Sequence, residues 1–327
     1  MLRFRHLLSV TAAALLIVTA GSAQAEWPEK PVKLIVPFKA GGSSDQMGRV
    51  VQAGINESGA LSQPVTIINV GGHYSIGSRR VMEAKPDGYN FLLIHLALMG
   101  GQGSGALDFG WKDFAPVASL GEFCLMPMVR KDSGIDSLEQ LLTQAKDKPD
   151  SLIFGANLGA INHMGGLMLQ ETTPGAKFRF VQIGGGTANY TALTGAQTDV
   201  TVLSGAEVSK FTRLPDGSEN PDSQIKPLAY TGSERFGGLP DVATTQELGY
   251  DVNFCIKSWF FAPKDTPQEA IDGFAAAIEK ATQTDTYQDY LVKNGFADGI
   301  VTGDEMLEEL TATWERIEPI ARLAAQK

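Results

Sequence analysis

The sequence has few of the residues from which metal centres are built. Its 327 residues include two cysteines and four histidines. No two histidines have the spacing of a metal-ligand pair, and Cys124 and Cys255 lie far apart along the chain. We therefore expect neither a metal ion nor a cofactor.

Sequence motifs of common enzyme classes are missing as well. There is no G-x-S-x-G motif of a secreted hydrolase. Residues 101–106 (GQGSGA) fit a dinucleotide fingerprint only loosely, because residues 107–110 do not continue it into a helical pattern. We expect a binding protein rather than an enzyme. The alternative, a secreted hydrolase, would need a cleft histidine such as His95 or His163 as its base.

A surplus of basic residues is also lacking. The chain has a formal charge of −10. The N-terminal leader proposed below contains Arg3 and Arg5 and no acidic residue, so its removal would make the mature chain two charges more negative. This balance argues against nucleic acid and anionic membranes as partners. An anionic ligand must therefore be attracted by local groups rather than by net charge.

The N-terminus has the three parts of a secretory signal peptide. Arg3 and Arg5 form a basic start, residues 7–19 are apolar, and Ala23-Gln24-Ala25 is a small-x-small cleavage site. The apolar run is too short to favour a membrane anchor. We expect cleavage after Ala25 and a periplasmic location. That compartment permits a disulfide between Cys124 and Cys255, although burial as two free thiols is slightly favoured.

Short apolar runs alternate with amphipathic runs, which predicts α/β lobes with mostly parallel sheets flanked by helices. The predicted strands cover residues 32–36, 65–69, 91–95, 124–129, 152–156, 178–183, 200–203, 226–230 and 259–262. The predicted helices cover residues 46–57, 75–84, 137–147, 161–171, 187–194, 268–282, 286–294 and 303–325. Two extended apolar segments, 122–129 and 253–263, are expected to cross between two lobes as a hinge. The expected order is a signal peptide (1–25), lobe 1 (26–125), lobe 2 (126–252) and a return to lobe 1 (253–327).

Residues 31–52 contain the most informative motif, a strand followed by a glycine turn and a helix start. The apolar run 32–36 breaks at Pro37, and an amphipathic run follows the glycines. Free N–H groups and partial positive charge at a helix start bind small anions without a cationic side chain. An ordinary helix cap at Ser44 or Asp45 is the alternative. The candidate ligand contacts in this loop are Phe38, Ala40, Gly41, Gly42, Ser43, Ser44 and Asp45.

Two further strand–loop–helix units repeat this pattern. The second loop supplies Asn157, Gly159, Ala160, Ile161, Asn162 and His163, and the third supplies Gly185, Gly186 and Thr187. Loops at the carboxyl ends of strands face ligands in open α/β sheets, so the three units are expected to meet at one cleft. His95 ends a predicted strand and is a further candidate, whereas a satisfied helix histidine is the safer interpretation of His163.

Five motifs in order resemble the periplasmic solute receptors of tripartite tricarboxylate transporters, also called Bug receptors. They are residues 31–45 (PVKLIVPFKAGGSSD), 84–89 (AKPDGY), the glycine–helix–glycine–Asp segment 184–199, 239–244 (LPDVAT) with Leu248-Gly249, and 259–263 (WFFAP). The resemblance covers essentially the whole mature chain.

That resemblance implies a two-lobed periplasmic binding protein, expected as a monomer, that passes a small organic carboxylate to membrane permease subunits. It implies a carboxylate held between the first loop, 38–45, and the second, 156–163, with Thr187 and Asp199 in the third matching segment. The alternative role of Asp199 is to fix its loop, since a carboxylate would repel an anion. Lys39, Arg79, Arg80 and His95 are candidate partners for a second or third carboxylate. The alternative for each is a solvated surface charge, which is favoured for Arg79 and Arg80. The alternative function is a ligand-sensing subunit for a membrane sensor kinase.

Overall fold

Strands form at the short apolar runs and helices at the amphipathic runs between them, over residues 27–325, which the computed structural model describes. The strands are β1 (Val32–Val36), β2 (Val65–Asn69), β3 (Asn90–Ile94), β4 (Phe114–Arg130), β5 (Ile153–Ala156), β6 (Arg179–Gln182), β7 (Val200–Ser204), β8 (Ile225–Pro227), β9 (Cys255–Pro263) and β10 (Ala297–Val301). The helices are α1 (Ser43–Ser58), α2 (Tyr74–Met82), α3 (Ala97–Gly103), α4 (Leu138–Asp147), α5 (Ile161–Glu171), α6 (Gly186–Thr194), α7 (Gly205–Thr212), α8 (Gln268–Thr282), α9 (Asp285–Asn294) and α10 (Gly303–Ala325). The predicted signal peptide lies outside the described residues. No helix within residues 27–325 is long and apolar enough to cross a membrane.

The strands form one mixed sheet with a parallel group at each end. Its order is β2-β1-β3-β9-β4-β7-β5-β6, with β8 and β10 also paired to β4. β1 pairs in parallel with β2 and β3, and β5 pairs in parallel with β6 and β7. Between the two groups lie β9 and β4, which pair with each other in antiparallel orientation. β9 is also antiparallel to β3, and β4 to β7. The fold is therefore a two-lobed α/β fold.

β4 is the strand that belongs to both halves of the sheet. Residues 114–124 pair with β9, and residues 125–129 pair with β7. The predicted crossing 122–129 lies on β4, and the predicted crossing 253–263 contains the whole of β9; these two strands pair directly with each other. Cys124 and Cys255 face each other in this pairing and form a disulfide. The expectation of two free thiols was wrong, since the antiparallel register brings two residues 131 positions apart into contact.

Helix α1 is fixed to the sheet by an apolar face. Met47, Val51 and Ile55 recur at helical spacing and are buried to within 1% exposure. Gly59, at φ 62°, ends the helix in a left-handed conformation that glycine adopts without strain. Packing of this face fixes the direction of the helix, and hence where its N-terminal amides point.

Candidate functional site

The starts of α1, α5 and α6 surround one cavity of about 40 Å³. Each start follows the carboxyl end of a parallel strand, which is where open α/β sheets bind ligands. Twelve predicted site residues line this cavity: Phe38, Gly42, Ser43, Ser44, His95, Asn157, Ala160, Ile161, Asn162, Gly185, Gly186 and Thr187. The three predicted loops thus come together at one cleft.

The start of α1 brings Gly42, Ser43 and Ser44 to the cavity wall. Gly42 is the N-cap and makes no side-chain cap hydrogen bond. The Ser43 N–H donates to Glu207 Oε1 at 3.3 Å, so this amide already holds a carboxylate oxygen. Gly41 precedes it at φ 89°, a conformation that other residues adopt only with strain.

The start of α5 is held by a network of amide side chains. The Asn157 N–H donates to Asn162 Oδ1 at 2.9 Å, and Asn162 Nδ2 donates to the Gly184 carbonyl at 3.2 Å. Asn162 therefore joins the second loop to the third. The N-cap, Ala160, makes no side-chain cap hydrogen bond at this helix start.

Asn157 contributes a buried donor without a protein partner. Its side chain is fully buried, and its Nδ2 makes no hydrogen bond. The Leu158 N–H donates to Gln182 Oε1 at 2.8 Å, so Gln182 Nε2 is the donor to Asn157 Oδ1 at 3.0 Å. This chain of bonds fixes Asn157 Nδ2 as a free donor in the cavity wall. A buried unsatisfied donor is costly, so a ligand acceptor that bonds to Asn157 Nδ2 would remove that cost.

The start of α6 lies directly against the first loop. Thr187 Oγ1 donates to the Ala40 carbonyl at 3.5 Å. A Cβ atom added at Gly185 would lie 3.1 Å from the Phe38 ring, so glycine permits this close approach. The helix N-termini of both halves of the sheet therefore meet across a narrow gap.

His95 adds an uncharged donor. Its ring stacks on Phe38 with centroids 4.9 Å apart, and burial lowers its pKa from 6.5 to about 3. The Ala97 N–H donates to Nδ1 at 3.1 Å, so the single proton of the neutral ring is on Nε2.

Six predicted site residues do not line the cavity: Ala40, Gly41, Asp45, Gly159, His163 and Asp199. Asp45 accepts from the Gly41 N–H at 2.7 Å and from Arg49 Nε at 3.0 Å. Burial raises the pKa of Asp45, but these bonds outweigh it and hold the pKa below its usual value. Asp199 accepts from the Ile153 N–H at 2.8 Å, which ties the start of β5 to β7.

His163 and Gly159 stabilise the second loop without lining the cavity. The Gly159 N–H donates to His163 Nδ1 at 3.1 Å, and the His163 ring meets Phe180 edge-on at 4.6 Å between centroids. Gly159 has φ 80° and lies against Tyr74 and Gly101, where a side chain would collide.

Among the basic residues considered, Lys39 lines the cavity, whereas Arg79 pairs with Asp108 and with Glu83.

Two polar wall residues were not predicted: Ser204 and Glu207. Glu207 Oε2 accepts from the Ser204 N–H at 3.1 Å and from Ser204 Oγ at 3.0 Å, and the Glu207 N–H donates back to Ser204 Oγ. This is a capping box at the start of α7. Its S-x-x-E pattern directly after a strand is the signal that could have found it.

Further hydrogen bonds close the cleft at its edges. The Leu158 carbonyl accepts from Tyr74 Oη and His73 Nε2, each at 3.2 Å. Lys210 Nζ donates to the Gly41 carbonyl at 3.3 Å. Among residues 27–325, no group of three or more His, Cys, Asp or Glu side chains is arranged to hold a metal ion.

Comparison with known proteins identifies relatives that match most of the chain. The model of the "Tripartite tricarboxylate transporter family receptor" matches residues 47–320. Protein BugT of Bordetella pertussis is 30% identical over 306 residues, covering 88% of this chain and 89% of that protein.

Solved structures share the fold. The periplasmic binding protein BugD is 25% identical, with a TM-score of 0.75 over 91% of this chain and 97% of that chain. MatC of Rhodopseudomonas palustris, solved with bound malate, is 22% identical, with a TM-score of 0.76 over 92% of this chain and 99% of that chain.

Proposed function

The chain belongs to the tripartite tricarboxylate transporter receptor family, and we propose that it is a periplasmic receptor for a small organic carboxylate, which it delivers to a membrane permease. The ligand class is a di- or tricarboxylate or an aromatic acid. The family consists of receptors, and the proposed action is binding without turnover.

One observation carries the proposal: three helix N-termini and the free Nδ2 of Asn157 converge on one cavity. Backbone amides and helix dipoles hold an anion without a cationic side chain. The malate bound to MatC is a ligand of this chemistry on the same fold.

The two halves of the cleft would bind one ligand together. A carboxylate that reaches α1 on one side and α5 or α6 on the other makes all its contacts only when the lobes are closed. The ligand thereby favours the closed form by its differential affinity. That form is the one proposed to dock on the permease.

Calorimetry against di- and tricarboxylates, aromatic acids and amino acids tests the ligand class. A true ligand at a hundred times its Kd should add about 2.7 kcal/mol to the free energy of unfolding, measured as a shift in Tm. Absence of both heat and thermal shift with every acid would refute the proposal.

Gly42→Val tests the site. The φ of Gly42 is −82°, which valine tolerates, but the added side chain points towards Glu207 and Thr187 at 3.2 and 3.6 Å from its Cβ. We expect the Kd to rise at least about a hundredfold, because two or more amide contacts are lost. Gly237→Val is the control, since a Cβ there meets nothing within 4 Å. Unchanged affinity in Gly42→Val would remove the first loop from the site.

Export and partner are tested separately. The N-terminal sequence of the exported protein should begin at Glu26. Crosslinking in membranes should capture a permease subunit. Capture of a sensor kinase instead would favour the sensing role.

A further inference from the structure

Glu207 places a carboxylate of the chain itself inside the anion-binding cleft. Its side chain is 4% exposed and lines the cavity. Oε1 accepts from the Ser43 N–H of α1, and a Cβ at Gly186 of α6 would collide with the same carboxylate. The amides at the start of α1 therefore face a negative group before any ligand binds.

Among the described residues, this carboxylate is not part of an ion pair, although Lys39 lines the same cavity. None of the ion pairs within the described part of the chain includes Glu207. Its hydrogen bonds come from the backbone N–H groups and side chains of two neutral residues, Ser43 and Ser204. Burial raises the pKa of Glu207 in spite of these bonds. The ionised carboxylate is therefore penalised by burial, and a cationic or N–H donor of the ligand would offset that penalty.

Other parts of the same cavity wall carry donors. Asn157 Nδ2 is buried without a partner, His95 presents Nε2–H, and the first amides of α5 are uncapped by any side chain. The cavity wall thus combines donors that suit a carboxylate with an acidic group that suits a cation or N–H donor.

We infer that Glu207 determines specificity: the cleft takes a carboxylate that also carries an N–H donor, above all an ammonium group, which bonds to Glu207. A second carboxylate at that position is rejected by like-charge repulsion in a buried site. The inference rests on the proposed carboxylate-binding function, and within small organic carboxylates it shifts the expected ligand from diacids to amino acids and amino-substituted acids.

Matched ligands that differ at one end test this specificity by calorimetry. The pairs are β-alanine and succinate, γ-aminobutyrate and glutarate, and para-aminobenzoate and terephthalate. The wild-type protein should bind the amino member of at least one pair about tenfold or more tighter than the diacid. Equal or tighter binding of the diacid in every pair that binds would overturn the inference while leaving the carboxylate receptor intact.

Glu207→Gln assigns the effect to this residue. The amide retains an acceptor for Ser204 but has no charge, so the preference for the amino member should fall at least about fivefold and diacid affinity should rise. Glu139→Gln, which removes an exposed charge on α4, should change neither. An unchanged preference in Glu207→Gln would also overturn the inference. If Glu207→Gln does not fold, Glu207→Asp is the second variant. Its shorter side chain moves the carboxylate away from the ligand, so the preference for the amino member should be lost in the same way. No binding of any member of any pair would refute the receptor proposal itself.

Discussion

Burial sets the charge of His95, and this has a measurable consequence. The pKa of His95 falls from 6.5 to about 3 in the folded protein, so below pH 6.5 the unfolded chain binds a proton that the folded chain does not. Stability contributed by neutral His95 is therefore present above pH 6.5 and lost as the pH falls towards 3.

Denaturant unfolding at pH 7 and pH 5 measures this effect. The free energy of unfolding should fall by up to about 1.4 kcal/mol per pH unit through His95 alone. In His95→Gln the free energy of unfolding should fall less between pH 7 and pH 5. A part of the fall should remain, because burial also lowers the pKa of His73. An equal fall in both proteins would show that His95 does not titrate as described.

Asp45 stabilises the first loop from outside the cavity. It accepts from Gly41 and Arg49, and its carboxylate is buried. Asp45→Asn should therefore lower the free energy of unfolding by about 1–3 kcal/mol, because it weakens charge-assisted bonds. Calorimetry should then show a smaller effect on affinity than Gly42→Val. A loss of binding as large as that of Gly42→Val would assign Asp45 a direct ligand contact.

At the scale of single residues, the sequence predicts the glycine and amide residues of the cleft well, but it does not predict the acidic residue Glu207. Gly42, Ala160 and Gly186 follow strands in a recognisable order, and that local order alone brings their amides to the carboxyl edge of the sheet. Glu207 was missed because the helix that carries it was not predicted. Its place in the cleft depends on β7 pairing with β4, which no local pattern reveals.

Among the elements, β4 shows how tertiary structure extends a strand beyond its sequence signal. The sequence predicts a strand over 124–129, whereas β4 covers Phe114–Arg130. Pro116 and Gly121 interrupt the pattern, and the register shifts near both residues. Pairing with β9 keeps the strand continuous through these irregularities.

Close backbone packing explains why helix α3 was not predicted. Its sequence, ALMGGQG, is rich in glycine, which disfavours helices in isolation. A Cβ at Gly100 would collide with the Gly159 carbonyl, and one at Gly101 with Tyr74. The glycines are needed to bring α3 against the second binding loop, and tertiary contacts offset their low propensity.

The disulfide should stabilise the pairing of β4 with β9. Because it closes a loop of 131 residues, its loss should lower the free energy of unfolding by about 2–5 kcal/mol. Guanidinium unfolding with and without reductant measures the difference. A variant with both Cys124→Ala and Cys255→Ala should not respond to reductant, and wild-type protein that is equally insensitive would contradict the prediction.

For the whole molecule, the formal charge of −10 opposes the approach of an anion that the cleft itself attracts. Salt shortens the Debye length from about 30 Å at 0.01 M to about 8 Å at 0.15 M and screens this repulsion. The association rate of a ligand with net negative charge, measured by stopped flow, should therefore rise over this range, while that of a zwitterionic amino acid changes less. A falling rate would indicate steering by exposed cations instead.

The lobe boundaries at 125/126 and 252/253 remain predictions. The fold class follows from the sequence because alternating strands and helices are local patterns. The contacts that close the cleft cannot be predicted from the sequence in this way. Lys210 bonds to Gly41 and His73 to Leu158, and each of these contacts joins segments far apart in sequence.

A crystal structure of the protein with a ligand identified by calorimetry tests the central claim most directly. A ligand carboxylate oxygen should lie about 2.7–3.1 Å from backbone nitrogens at the starts of α1, α5 or α6. Ligand bound elsewhere, such as the groove formed by α5, α10 and residues 249–252, would contradict the account.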